Sequence, residues 1–408
     1  MTANKGATDP SDQLILAGWL VDGTGGPVRS KVWIYIREGM VRSVDPKPPR
    51  DVLSGQGCDL SDFTLLPGLV DSHVHLTLSG TDDSVVRKSQ LEAGYDRAAT
   101  VIAAHLCQHR DCGVVAVRDG GDRSGHVLRF KTRPSQLLPV RVQSAGQAWR
   151  QSGRYGRLIG RSPKAGMTLA EAVAGDRPAP DHVKIVNSGL NSLTHFAKET
   201  APQFSLEEMR AAVEAAAVRG LGVMVHANGR LPVAMAVAAG CRSVEHGFFM
   251  GPDNLARMAD SLVIWVPTAV TMRAYARQLA PGSIEAQMAR RNFDHQLEQM
   301  QMARRLGVRV ALGTDAGSLG VDHGTALKEE MAIVMEAGWS LSEAVQSGSS
   351  VAAPLVGGGY SGTLAPGHAA TFIAIKGPPE HLPGSLGRVG SVWVDGRRTL
   401  GGSGRVVG

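Results

Sequence analysis

The sequence predicts an α/β protein: a (β/α)8 TIM-like barrel joined to a small β-sandwich that both chain ends build. Three observations predict it. Residues 66–356 alternate strand-like and helix-like segments, the pattern of parallel strands linked by crossover helices. Residues 1–65 and 357–408 read instead as short strands set off by Gly and Pro turns. The 408 residues are too many for one ordinary domain but suit a barrel with an appendage. The expected division is 1–65 for the first part of the sandwich, 66–356 for the barrel and 357–408 for the rest of the sandwich.

Each element has a local reason. The polar residues 1–12 are expected to fray. Segments 14–21, 32–36 and 40–44 are short runs rich in Ile, Val, Leu and Trp, and segments 370–375 and 389–396 return the same pattern. In the middle, eight strands centre on Val70, Val115, Val142, Ile185, Val225, Val244, Ile264 and Ala311. The helices between them carry start signals. Thr168 with Glu171, Ser205 with Glu208 and Ser340 with Glu343 form capping boxes, in which hydroxyl and carboxylate satisfy N–H groups that a helix start leaves orphaned. Gly220 and Gly307 suit the left-handed stop position. The helix near 284–306 sets Ile284, Met288, Leu297, Met300 and Ala303 on roughly one face, read as core.

Bulk properties narrow the class. A hydrophobic content of 43% with 20% charged residues is that of a soluble globular enzyme. No 18-residue apolar run and no basic-then-apolar leader is present, so neither a membrane span nor a signal peptide is read. Cys58, Cys107, Cys112 and Cys241 form no CxxC pair and fit a reduced, cytoplasmic protein. The net charge is +6 and the pI about 9.3. Its clearest local excess is Arg150, Arg154, Arg157, Arg161 and Lys164, with no acid in 147–164 and with Trp149 and Tyr155 interleaved. The plain reading is a solvated loop. The functional reading is a lid over an anionic small-molecule substrate, with Arg150 and Tyr155 as contacts; nucleic acid ranks third.

Residues 65–76 (LLPGLVDSHVHL) organise the chemistry. They read as an apolar strand ending in two histidines one residue apart. Residues i and i+2 of a strand point the same way, so His73 and His75 present two imidazoles to one point, half of a metal site. Four later segments read as short apolar strands that carry a metal-competent residue: 182–186 with Lys184, 223–228 with His226, 243–247 with His246 and 310–316 with Asp315. They fall on barrel strands one, four, five, six and eight, where active groups stand at the C-terminal ends.

The order HxH, Lys, His, His, Asp resembles the amidohydrolase superfamily, specifically its binuclear members with a carboxylated lysine. Val117-Arg118-Asp119-Gly120-Gly121 and Asp322-His323-Gly324 are similar to the branch holding imidazolonepropionase and prolidase-like peptidases. The resemblance implies two divalent metal ions, with Zn²⁺ suited to neutral imidazoles and a carboxylate. His73, His75 and Asp315 would hold one ion, and His226 and His246 the other. Lys184, carboxylated by CO₂ to a carbamate, would bridge them. A shared hydroxide would attack a carbonyl, with Asp315 passing its proton to the leaving nitrogen. Asn228, Thr268, Tyr275 and His323 are the candidate substrate contacts beside Arg150 and Tyr155, and Arg118 with Asp119 reads as an ion pair. The family commonly has an acid soon after Gly362; His368-Ala369-Ala370 stand here instead.

The implied activity is hydrolysis of an amide, peptide or cyclic-amide bond, with N-acyl amino acids or dipeptides fitting the arginine loop. A mononuclear deaminase or imidazolonepropionase-type cyclic amidohydrolase is the nearest alternative. Such enzymes typically lack the bridging lysine and carry a glutamate after the strand-five histidine, where His226-Ala227-Asn228-Gly229 stands here. A nucleic-acid-binding protein or a catalytically inactive barrel is the alternative from another class. A homo-oligomer is compatible with the sequence.

Overall fold

A computed structural model describes residues 12–49, 57–133, 140–400 and 406–407. All but Asp12 of the stretch expected to fray lies outside them. Four strands open the chain: β1 (Asp12–Leu20), β2 (Arg29–Arg37), β3 (Met40–Asp45) and β4 (Gly57–Pro67). The barrel segment follows with β5 (Leu69–Val74), β6 (Val114–Asp119), β7 (Arg141–Ser144), β8 (Ala148–Trp149), β9 (Gly160–Arg161), β10 (Val183–Val186), β11 (Val223–Ala227), β12 (Ser243–His246) and β13 (Ile264–Val266). The chain returns through β14 (Phe372–Lys376), β15 (Val389–Val394), β16 (Arg397–Leu400) and β17 (Val406–Val407).

The two chain ends form one unit, as the strand signals at both ends predict. Strands β16, β15, β14, β4, β1, β2 and β3 lie side by side in that order, and β17 pairs with β4. Ile15, Ile34 and Ile36 from the first end pack with Phe372 and Trp393 from the second in one buried cluster. Burying each such side chain contributes about 1.5–3 kcal/mol, which ties the ends together. The acid expected after Gly362 is not needed: Gly367 N donates to Val41 O and Val41 N to His368 O, at 2.9 and 2.8 Å.

The barrel strands run parallel, β5-β6-β7 on one side and β13-β12-β11-β10-β8 on the other. The strand centred on Ala311 is in place but irregular. It is held by single bridges from Val310 to Trp265 and from Ala316 to Val74. Ser72 N to Leu312 O at 3.0 Å and Ala311 N to Trp265 O at 2.9 Å complete the closure. Gly313 explains the irregularity, since a Cβ there would stand 2.4 Å from the Val266 side chain and 3.0 Å from His73 N.

All three capping boxes form, at Thr168, Ser205 and Ser340. The helix Ile284–Leu306 ends at Gly307 with φ +76°. Its inner face holds Met288, Met300 and Ala303, but Ile284 is 63% exposed, while Ala286 in the same turn is buried. No helix among the described residues is long and apolar enough to cross a membrane.

The stretch 65–76 is not one strand. Its first part belongs to β4 in the terminal sheet and its second to β5 in the barrel. Pro67 has no N–H to extend a ladder, and Gly68 lies against β6, where an added Cβ would come within 2.5 Å of the Val115 side chain. Gly68→Ala should therefore destabilise the fold by about 1–3 kcal/mol. Thermal unfolding checks this: adding Val115→Ala should restore part of the loss, and an unchanged melting temperature in Gly68→Ala would contradict the packing argument.

Candidate metal centre

Six side chains from strand ends line one cavity of about 290 Å³: His73, His75, Lys184, His226, His246 and Asp315. His73 and His75 come from the end of β5 and the residue just beyond it. Lys184 comes from β10, His226 from β11 and His246 from β12. Asp315 follows the irregular eighth strand. Ligand atoms of His73, His75 and Asp315 lie within 4.8 Å of one another, a group able to hold a metal ion. Asp315 Oδ1 is 3.4 Å from His75 Nε2 and 3.6 Å from His73 Nε2.

Each imidazole is tied at one nitrogen, which leaves the other free as a lone-pair donor. His75 Nδ1 donates to Gly121 O at 3.0 Å, and His226 Nε2 donates to Gly189 O at 3.1 Å. A carbonyl only accepts, so these bonds fix the tautomers. His246 Nδ1 meets Thr268 Oγ1 at 2.7 Å, and His73 Nδ1 donates to Glu245 Oε2 at 2.8 Å. The nitrogens left over are Nε2 of His73, His75 and His246, and Nδ1 of His226. His73 Nε2 and Lys184 Nζ are buried with no hydrogen-bond partner among the described residues. An orphaned lone pair and an orphaned amine deep in a polar cluster fit a metal-ligand set, because buried polar atoms otherwise find partners.

Electrostatics agree. Burial first, and then the Lys184 ammonium, lower His73 well below the ordinary histidine value, His75 to about 4 and His226 to about 3. His246 is also held well below it, by burial and then by His226 and His73. All four are neutral at pH 7, the state that ligates metal. Burial raises Asp315 to about 7 and lowers Lys184 to about 8, with Glu245 opposing the Lys184 shift.

Glu245 carries a support network that sequence reading missed. It is fully enclosed, orients His73, and accepts from Arg118 Nη2 at 2.7 Å. Arg118 also reaches Ser243 Oγ at 2.9 Å and Ser72 O at 2.8 Å. The expected Arg118–Asp119 pair does not form, since adjacent strand residues point to opposite faces. Asp119 instead accepts from Leu76 N and Gly121 N, both at 2.9 Å, which sets the two ends of the His75 surroundings.

The expected substrate contacts divide. Asn228, Tyr155 and Tyr275 line the cavity. Thr268 does not; it is fully buried and its hydroxyl is spent on His246. His323 does not either. Its Nε2 donates to Leu78 O at 2.8 Å, its Nδ1 faces His109 Nε2 at 3.0 Å, and its ring stacks on His105. Arg150 points into its own loop, with Nη1 on Gln151 O at 3.0 Å and Arg154 O at 3.3 Å. Arg154 holds Ala201 O, and Arg161 pairs with Asp176 while lying 4.3 Å over the Trp149 ring. The arginine run thus fastens a loop, with its acidic partner outside the window that looked acid-free. Tyr155 sits over the site, its ring centroid 5.3 Å from that of His226. Arg87, Leu158, Leu190, Leu193, Phe248 and Met272 also line the cavity, and no motif marked them.

A model of the amidohydrolase family matches residues 151–399. The chain is 25% identical to ochratoxinase of Aspergillus niger over 399 residues, covering 90% of this chain and 81% of that protein. It is 27% identical to imidazolonepropionase of Nocardia farcinica over 362 residues, covering 83% and 84%. Its fold matches a crystal structure of a Xaa-Pro dipeptidase with bound methionine in the active site, at a TM-score of 0.80 and 26% identity, covering 96% of this chain and all of the other.

The Arg118–Glu245 pair generates a stability prediction. Glu245→Gln leaves the Arg118 guanidinium, 2% exposed, without its counter-charge and should cost about 3–5 kcal/mol in denaturant unfolding. Combining it with Arg118→Met should cost less than the sum of the two single changes. Additive losses would show that the pair is not coupled.

Proposed function

The chain belongs to the amidohydrolase family and is a metal-dependent hydrolase of carbon–nitrogen bonds, and from that premise we propose that a two-metal centre lets it hydrolyse N-acyl amino acids or dipeptides. The observation that carries this reading is the set of free imidazole nitrogens around the partnerless Lys184 amine. His73, His75 and Asp315 would hold one ion, and His226 and His246 would hold the second. The neutral amine of Lys184 would react with CO₂ to give an anionic carbamate and a proton, which would supply a carboxylate ligand where an ammonium would repel the ions. Neutral imidazoles with carboxylates favour Zn²⁺. When bound, such ions supply Lewis acidity and lower the pKa of water toward neutrality.

The protein's own groups do the rest. Ser318 Oγ donates to Asp315 Oδ2 at 3.0 Å and fixes the carboxylate, so that Oδ1 faces the histidines. Asp315 takes a proton from the attacking water and returns it to the leaving nitrogen. The acyl C–N bond breaks, a C–O bond forms, and an acid and an amine leave. Asn228 lines the cavity with its amide fixed at both ends, Oδ1 accepting from Phe248 N at 3.1 Å and Nδ2 donating to Gly189 O at 3.4 Å, and its remaining N–H is the one left to meet substrate. Tyr155 and the apolar side chains around it keep bulk water from the scissile bond. Likeness to a dipeptidase supports an amide between two small units.

A mononuclear centre of the imidazolonepropionase type is the second reading. It is favoured by the fact that only His73, His75 and Asp315, among the described residues, lie close enough together to form a ready-made cluster.

Turnover of N-acyl amino acids and dipeptides by the Zn-loaded protein tests the proposal; failure to cleave any of them contradicts it. Asp315→Asn should lower kcat by about 10²–10⁴-fold while metal content falls much less. Equal losses of metal and activity would assign Asp315 to metal retention alone. The pH course of reconstitution is a further check. With Lys184 at about 8, its reactive neutral form grows as pH rises through that value. At fixed dissolved CO₂, the rate at which stripped protein regains activity should rise from pH 7 to pH 8. A rate independent of CO₂ would contradict the carbamate.

A further inference from the structure

The cavity holds one cation outside the ligand set, and its placement says which end of a substrate it meets. Arg87 sits on the helix Ser84–Leu91, whose start is fixed by Asp83 accepting from Val85 N and Val86 N. Its Nη1 is anchored on three backbone carbonyls: Ser79 O at 2.8 Å, Gly317 O at 3.2 Å and Thr81 O at 3.4 Å. Among the described residues neither Nε nor Nη2 of Arg87 has a partner, and no carboxylate pairs with it. A guanidinium held through Nη1 alone, on a residue that lines the cavity, keeps donors for an oxyanion.

Its tether matters as much as its charge. Gly317 is two residues from Asp315, and Ser318 of the same turn fixes the Asp315 carboxylate. Arg87, Tyr275 and Asp315 line the same cavity. Asp315 is the group assigned above to protonate the leaving nitrogen. A guanidinium tied to its turn meets the carboxylate carried on the carbon next to that nitrogen.

The rest of the wall is chemically opposite. Leu158, Ile159, Leu190, Leu193, Phe248 and Met272 face the cavity, with Leu158 52% and Leu190 59% exposed at its rim. Asp315 is the sole acid among the lining residues. An ammonium at the acyl end would find no counter-charge there, whereas a large apolar acyl group would bury that surface.

Resting on the hydrolase reading, we propose that Arg87 is the specificity residue for a free α-carboxylate, and that the substrates are amino acids N-acylated by a bulky apolar group rather than dipeptides with a free ammonium. Charge-assisted bonds of this kind are worth about 10- to 100-fold in affinity.

The test uses N-(2-naphthoyl)-L-phenylalanine and its carboxamide, with binding measured by calorimetry on metal-loaded Asp315→Asn protein, which holds the probes without cleaving them. The acid should bind about 10- to 100-fold tighter than the carboxamide. Arg87→Gln should bring that ratio to about one and leave carboxamide binding unchanged; Arg87→Lys should keep part of it. Equal binding of the two probes, no binding of the acid, or a preference that survives Arg87→Gln overturns the proposal. So does equal weakening of both probes, which marks Arg87 as a structural tether only. Cleavage of the same acid by the unmutated protein is scored separately. Binding without cleavage counts against the hydrolase reading and not against the anchor; cleavage without an Arg87-dependent preference does the reverse.

Discussion

Lys184 carries its amine into the barrel, 1% exposed, between Val183 and Ile185, and among the described residues no group accepts a hydrogen bond from it. An ammonium in such a place loses its water, and the nearby acids, Glu245 first, only partly offset that loss, which is why burial pulls its pKa down to about 8. The four histidines around the cavity face the same constraint from the other side. Each is buried and neutral, and each spends one nitrogen on a fixed partner and keeps the other free. Within this cluster, His73, His75 and Asp315 form a group able to hold a metal ion. This buried polar cluster is what the surrounding structure is arranged to hold.

The scaffold holds it through strained strand ends. His246, Asp315 and Thr268 have positive φ values of 67°, 58° and 48°. Such conformations cost about 1–3 kcal/mol each for residues with side chains, and they turn the side chains inward where a regular strand would end. Specific bonds offset the cost. Trp265 Nε1 and Gln296 Nε2 both donate to His246 O, at 2.9 and 2.6 Å. Asp71 accepts from Thr314 N and Oγ1 at 3.0 and 2.7 Å, just before Asp315. Glu330 accepts from Ala269 N and Val270 N, at 3.0 and 2.8 Å, and so fixes the backbone beyond Thr268. Folding and positioning of the site are therefore the same set of contacts.

Much of this was legible in the residues alone, where a local rule acts. Period-two spacing put His73 and His75 together, and hydroxyl–carboxylate spacing marked three helix starts. Alternation announced a barrel, and strands at both chain ends announced the terminal sheet. What was not legible depends on distant partners. Thr268 looked like a lining residue, but His246, 22 positions away, takes its hydroxyl. The arginine run read first as a solvated loop and second as a lid over an anion, but loop carbonyls hold Arg150 and Asp176 pairs with Arg161. Arg87 carried no signal, because its meaning comes from Gly317, 230 positions away, and from the absence of an acid beside it among the described residues. Glu245 is the clearest loss. An acid in an apolar strand beside a histidine has no local reason to be buried; Arg118, His73 and Ser243 together satisfy it there.

The central claim is that Lys184 is held as a carbamate between two metal ions. Its most direct test is metal content per chain, with ¹³C NMR of protein loaded in ¹³C-labelled bicarbonate. The account predicts two ions per chain and a carbamate carbon resonance, both lost together in Lys184→Met. One ion per chain with no carbamate resonance would contradict it.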